Sequence, residues 1–147
     1  MVLYKILLTG VLVISIASFS KISAQTNSIF SPVIRVNNTV VTKFELDQRI
    51  KFLSALKFPG NPNQVARMQL IEERLKQIES EKLNIILSDT EIQDAQKRFA
   101  SRANLSLTEF IDELKRLGIY SQTFRLYIET ELLWQKVLKK KFGGQSN

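Results

Sequence analysis

Apolar residues recur along this chain at helical spacing in five runs, each bounded by turn-forming residues. Leu46, Ile50, Leu53 and Leu56 share one face of a helix over about 43–57, which ends at Phe58-Pro59-Gly60-Asn61-Pro62. A second helix, capped by Asn63, carries an inward stripe of Met68, Ile71, Leu75 and Ile78 and ends near Asn84. A third, about 89–103, presents Ile92, Ala95, Phe99 and Ala103. A fourth, about 107–117, presents Phe110, Ile111, Leu114 and Leu117 and stops at Gly118. Ser121 is expected to cap a fifth, which runs to about Phe142. Three starts carry the same signature, a hydroxyl residue followed three positions later by glutamate: Thr42 and Glu45, Ser88 and Glu91, Ser106 and Glu109. In such a capping box the hydroxyl accepts from the first free amides while the carboxylate reaches back.

Two features break the pattern. Before the first helix, Val33–Val36 and Thr39–Val41 are short β-favouring runs around Asn37-Asn38, a pair suited to a tight hairpin turn. The fifth helix is apolar over most of its circumference, with Phe124, Tyr127, Ile128, Leu132, Trp134, Leu138 and Phe142 unable to share one narrow stripe. Such a helix is expected at the centre of the bundle, with Trp134 in the core; burial against a partner is the alternative. The fold expected is all-α, about five helices with a short N-terminal β-hairpin.

The ends change the picture of where such a bundle works. Lys5, the apolar run Ile6–Ala17 and the small Ala24 follow the order of a secretory signal over residues 1–24. The run is short for a bilayer span. An uncleaved inner-membrane anchor is the alternative, favoured by Lys21 and the bulky Ile22. Residues 25–32 read as a flexible leader, 33–142 as the helical domain and 143–147 as a disordered tail. Residues 1–24 carry Lys5, Lys21 and no acid, so removing them lowers the formal charge from +7 to +5. The remaining excess gathers in Lys136, Lys139, Lys140 and Lys141. These cations oppose the partial negative charge at a helix end, and membrane-surface contact is the alternative. Nucleic acid is not expected as a partner of an exported chain.

The chain has no cysteine and no histidine. Disulfides, the usual zinc sites and any Ser–His or Cys–His catalysis are therefore excluded. Glu129 and Glu131 lie two apart, on different helix faces, with no third group to complete an acid–base site. No metal, cofactor or catalytic residue is expected. What remains is binding through apolar and aromatic side chains, for which Phe58, Met68, Tyr120, Tyr127 and Trp134 are the candidates. Each is also of a type that commonly packs in a core.

The order of elements carries a resemblance. A leader, then VIRVNNTVVTKFELDQRI, then IEERLKQIESEKLNIILSDTEIQDAQKRFA, then LSLTEFIDELKRLGIYSQTFRLYIETELLWQKVL resembles the N-terminal domain of SurA-type periplasmic chaperones over Val33 to Leu138. Trigger-factor-like chaperone domains share the general pattern. Family members usually continue into parvulin-type prolyl isomerase domains, and no such domain fits in the residues after Phe142. The resemblance thus implies a periplasmic, ATP-independent holdase for unfolded outer-membrane or exported proteins, without isomerase activity. The alternatives are a non-catalytic subunit or truncated form of a parvulin-type isomerase, or an inner-membrane-anchored adaptor. Self-association is left open.

Overall fold

The computed structural model describes residues 28–143. The expected signal segment, the start of the leader and the tail after Gly143 lie outside these residues. Asn37 takes the positive φ of 51° that reverses the chain, and Thr39 closes the turn by donating from its hydroxyl to the Val36 carbonyl at 2.9 Å. The hairpin is antiparallel, β1 (Pro32–Val36) on β2 (Thr39–Thr42), with Val36 opposite Thr39 and Ile34 opposite Val41. One face of it is anchored by Val36 and the fully buried Val41.

Five helices follow: α1 (Lys43–Ala55), α2 (Pro62–Lys82), α3 (Asp89–Ser101), α4 (Leu107–Arg116) and α5 (Ser121–Phe142). The fold is thus all-α with a small sheet element. All three expected capping boxes are formed, with both hydrogen bonds of each present. The C-terminal ends are as regular as the starts. Lys57, Asn84, Asn104 and Gly118 each take a positive φ just after a helix. The next residue then donates its amide back into the last turn: Phe58 to Leu53, Ile85 to Ser80, Leu105 to Ala100 and Ile119 to Leu114. These are Schellman closures, which satisfy carbonyls that the helix end leaves free.

Two expected caps are corrected. α2 begins at Pro62, and its cap is Asn61, whose Oδ1 accepts from the amides of Asn63 and Gln64. Proline suits the first helical position because its missing N–H would have no partner there. α5 is preceded by Tyr120 rather than capped by Ser121, and no side chain of its own caps it.

The stripe expected on α2 is also corrected. Ile71 and Ile78 are half-buried, but Met68 is 59% exposed and Leu75 49% exposed, while Ala66, Leu70, Glu73 and Ser80 are buried. The rotation follows from Glu73, which turns inward to meet the buried Arg49 of α1. On α3 and α4 the expected faces hold for Ile92, Phe110 and Leu114, whereas Ala103 and Leu117 are exposed.

α5 touches each of the other four helices, the place expected of a helix apolar on many sides. Around it, Phe52, Ala100, Phe110, Leu114, Ile119, Phe124 and Ile128 form the main core. Phe99 joins this core edge to face with Phe110, with ring centroids 5.7 Å apart. A second cluster, Val41, Leu46, Leu53, Ala66 and Leu70, fixes the hairpin and α1 to α2. No helix among the described residues is long and apolar enough to cross a membrane.

Candidate functional site: an aromatic face at the α4–α5 turn

The turn from α4 into α5 is made by Leu117-Gly118-Ile119-Tyr120. Gly118 at φ 69° ends α4, and Ile119 drops into the core. The chain then climbs out, leaving the Tyr120 side chain 62% exposed. Its position is fixed from below by Gln48 of α1, a polar side chain almost wholly buried. The Gln48 carboxamide donates to the Gly118 carbonyl at 3.1 Å and accepts from the Tyr120 amide at 2.9 Å. One side chain therefore holds both sides of the turn. Its Oε1 also accepts from the Thr123 hydroxyl in the first turn of α5, at 3.4 Å.

Tyr120 is the end of an aromatic row. The Phe44 ring stands edge to face with it at 5.4 Å, and Phe30 lies 5.9 Å beyond Phe44. Phe30 and its neighbour Ile29 are exposed. The segment that carries them is held by the backbone: the Lys43 amide donates to Ser31 at 2.9 Å and the Phe44 amide to Ile29 at 2.7 Å. These are two of the free amides of the first turn of α1. Within the stretch expected as a leader, Ser28–Ser31 are thus seated on α1, and Pro32 already belongs to β1.

Cavities open on either side of Tyr120. One, of about 110 Å³, is lined by Phe44, Leu70, Leu126 and Tyr120. Its charged lining is internally balanced, Arg49 with Glu73 and Arg74 with Glu45. The other, of about 410 Å³, runs past Ile111, Lys115 and Ile119. The arrangement can receive apolar and aromatic groups of an extended chain, and the two carboxylates in the smaller cavity, Glu45 and Glu73, are each engaged by an arginine.

The Arg49–Glu73 pair beneath this face was not legible in the sequence. Both side chains are buried, and the guanidinium donates through both terminal nitrogens to the carboxylate, with the Nη2 to Oε2 distance 3.0 Å. The Tyr127 ring lies 5.2 Å from the same guanidinium. Burial pushes the Glu73 carboxyl above its ordinary range against the pull of Arg49. Glu45 differs. Its burial also pushes upward, but hydrogen bonds from Thr42 and Arg74 outweigh that and hold it below the usual range.

The five sequence candidates do not converge. Tyr120 lines the cavities just described. Tyr127 is half-buried among Phe52 and Phe99, with centroids at 5.5 and 6.0 Å. Trp134 is half-buried rather than in the core, and lines a separate open groove of about 570 Å³ with Leu75 and Ile78. Phe58 and Met68 are exposed, on the Schellman turn after α1 and on the outer side of α2. Sequence reasoning missed Phe30 and Phe44, because an exposed residue in a leader and a first-turn phenylalanine carry no periodic signal.

The lysines near the end of α5 have partners within the fold. Lys136 pairs with Glu91 at 2.6 Å and Lys141 with Glu79 at 2.6 Å. Lys136 and Lys140 also donate to the carbonyls of Ile86 and Leu83. They tie α5 to the α2–α3 connection. Lys139 makes no ion pair among the described residues. No group of three or more acidic, histidine or cysteine side chains placed to hold a metal occurs among the described residues.

Compared with curated proteins, the chain is 28% identical over 116 residues to the proteins named Chaperone SurA from Legionella pneumophila strains Lens, Paris and Philadelphia 1. The match covers 74% of this chain and 27% of each of those proteins, so the chain spans about a quarter of the length of the curated relatives it matches. The likeness is that of a remote relative of SurA chaperones. No family model matches the chain, and no solved structure matches it.

Proposed function

We propose that this chain is an ATP-independent holdase that binds unfolded exported polypeptides, outer-membrane proteins among them, in the periplasm. The observation that carries the reading is the row of exposed Phe30, half-buried Phe44 and exposed Tyr120, with apolar cavities on both sides of Tyr120. A surface aromatic row held by buried polar contacts suits varied apolar segments, because stacking and burial make few demands on sequence. The distant likeness to SurA chaperones supports the same reading. So does the N-terminal order of lysine, apolar run and small residue, which fits export.

The test is aggregation of a urea-unfolded porin diluted into buffer without nucleotide. The purified protein is expected to slow light scattering in proportion to its concentration and to leave prolyl isomerisation of a test peptide at its uncatalysed rate. Scattering unchanged at a several-fold molar excess contradicts the holdase reading. Catalysed isomerisation by the pure chain contradicts its non-enzymatic part.

A further inference from the structure

A groove of about 290 Å³ between α3 and α5 has a different chemistry from the Tyr120 face. Its lining is mostly polar, with Arg98, Arg102 and Gln135 as donors, and Phe99, Tyr127 and Leu132 form its apolar part. Four other arginines are engaged by carboxylates, Arg49 with Glu73, Arg74 with Glu45, Arg116 with Glu113, and Arg125 with Asp89 and Glu129, while Arg67 donates to Asn63 and Arg35, on the hairpin, makes no ion pair among the described residues. Arg98 and Arg102 make no ion pair and no side-chain hydrogen bond among the described residues. The Tyr127 hydroxyl and the Gln135 carboxamide make no hydrogen bond among them either. The acid in the lining, Glu131, is engaged by Lys76 at 2.7 Å.

Arg98 and Arg102 are four residues apart, so they stand on one side of the end of α3. Opposing the negative end of that helix accounts for a cation there. It does not account for two guanidiniums beside an aromatic lining with the available acid already engaged. Guanidinium forks match carboxylates, and the adjoining lining takes an apolar group.

We propose that this groove binds polypeptide segments in which an aspartate or glutamate stands next to a large apolar side chain. The carboxylate meets Arg98 and Arg102, and the apolar side chain lies against Phe99, Tyr127 and Leu132. This rests on the reading that the chain binds unfolded polypeptides, and it names one class of segment they would present.

The experiment compares three dye-labelled unstructured peptides by fluorescence anisotropy at low salt. One alternates glutamate with leucine, the second has every glutamate replaced by glutamine, and the third is neutral and rich in aromatics. The glutamate peptide is expected to bind roughly tenfold more tightly than its glutamine counterpart, the scale of one charge-assisted contact. Salt should shrink that advantage. It should vanish in Arg98→Gln/Arg102→Gln, whose thermal midpoint checks folding, and the neutral peptide should bind that variant as it binds the wild type. If the double variant does not fold, each single substitution is expected to lose part of the advantage. Equal binding of the first two peptides by the wild type overturns the proposal, as does an advantage that survives in the folded variants. So does binding of vesicles containing phosphatidylglycerol through the two arginines without any preference between the peptides. Failure of the neutral aromatic peptide alone counts against the Tyr120 face and leaves the comparison of the other two intact.

Discussion

At the scale of single residues, the buried polar groups decide most. Gln48 holds the Tyr120 turn through two hydrogen bonds to main chain. Gln48→Met keeps the volume but leaves the Gly118 carbonyl and the Tyr120 amide without this partner. It is expected to lower stability by about 1–3 kcal/mol and to speed hydrogen exchange at the Tyr120 amide before the amides of α5. Exchange that rises uniformly along α5 would place the loss elsewhere. Glu73→Ala leaves the Arg49 charge buried and unpaired, and is expected to cost about 3–5 kcal/mol in chemical denaturation. Restoring most of that loss with an apolar pair at both positions would locate the cost in the orphaned charge. pH reads a different carboxylate. A hydrogen bond from Lys136, with the capping bonds of Ser88, holds Glu91 at about 2, below its ordinary 4.5. A depressed acid stabilises the fold above its unfolded pKa, and that contribution is lost as pH falls through the folded value. Thermal midpoints are therefore expected to drop between about pH 4.5 and 2, with a smaller drop in Lys136→Met. Glu73 has the opposite sign, its raised pKa weakening the fold as pH climbs past the unfolded value. Gln48, Arg49 and Glu73 were not legible in the sequence, where a buried glutamine or ion pair looks like any other polar position on a helix, whereas Glu91 was legible as the partner of Ser88 in a capping box.

At the scale of elements, starts and stops were largely written locally. Capping boxes join residues three apart, so Thr42, Ser88 and Ser106 could be identified without knowing what the helices pack against. Thr42→Ala is expected to lower stability by about 1 kcal/mol, read as a lower denaturation midpoint. An unchanged midpoint would mean that the box between Thr42 and Glu45 contributes nothing to the start of α1. The Schellman turns were legible at Asn84 and Gly118, whose residue types tolerate a positive φ, and not at Lys57, whose type does not advertise one. Helix faces were less legible than helix ends. The apolar pattern put Met68 and Leu75 of α2 inside, and a contact made at long range, Glu73 with Arg49, put them outside. The hairpin, by contrast, formed where Asn37 and the flanking β-branched residues indicated.

At the scale of the molecule, α5 is the axis and its surroundings set what is left exposed. α1 lays Phe44 and Gln48 against the N-terminal end of α5, and the aromatic face gathers there. Trp134 lies further along α5, half-buried against the groove with Leu75 and Ile78, where the apolar count of α5 alone had put it in the core. Its fluorescence offers a control. A peptide bound at the Tyr120 face is expected to leave Trp134 emission unchanged, and a shift would place binding in the other groove. The site could be read from the sequence only in part. Tyr120 was among the five candidates named from the sequence, but the row needs Phe30 and Phe44, which the chain brings together only after folding. The most direct test of the account is the affinity of the protein for an unfolded porin, measured beside its own stability, in the wild type and in Tyr120→Ala. An exposed aromatic anchor predicts roughly a thirtyfold loss of affinity, the scale of about 2 kcal/mol for such residues, with a thermal midpoint close to that of the wild type. Unchanged affinity in a folded Tyr120→Ala protein would contradict the assignment of this face as the binding site.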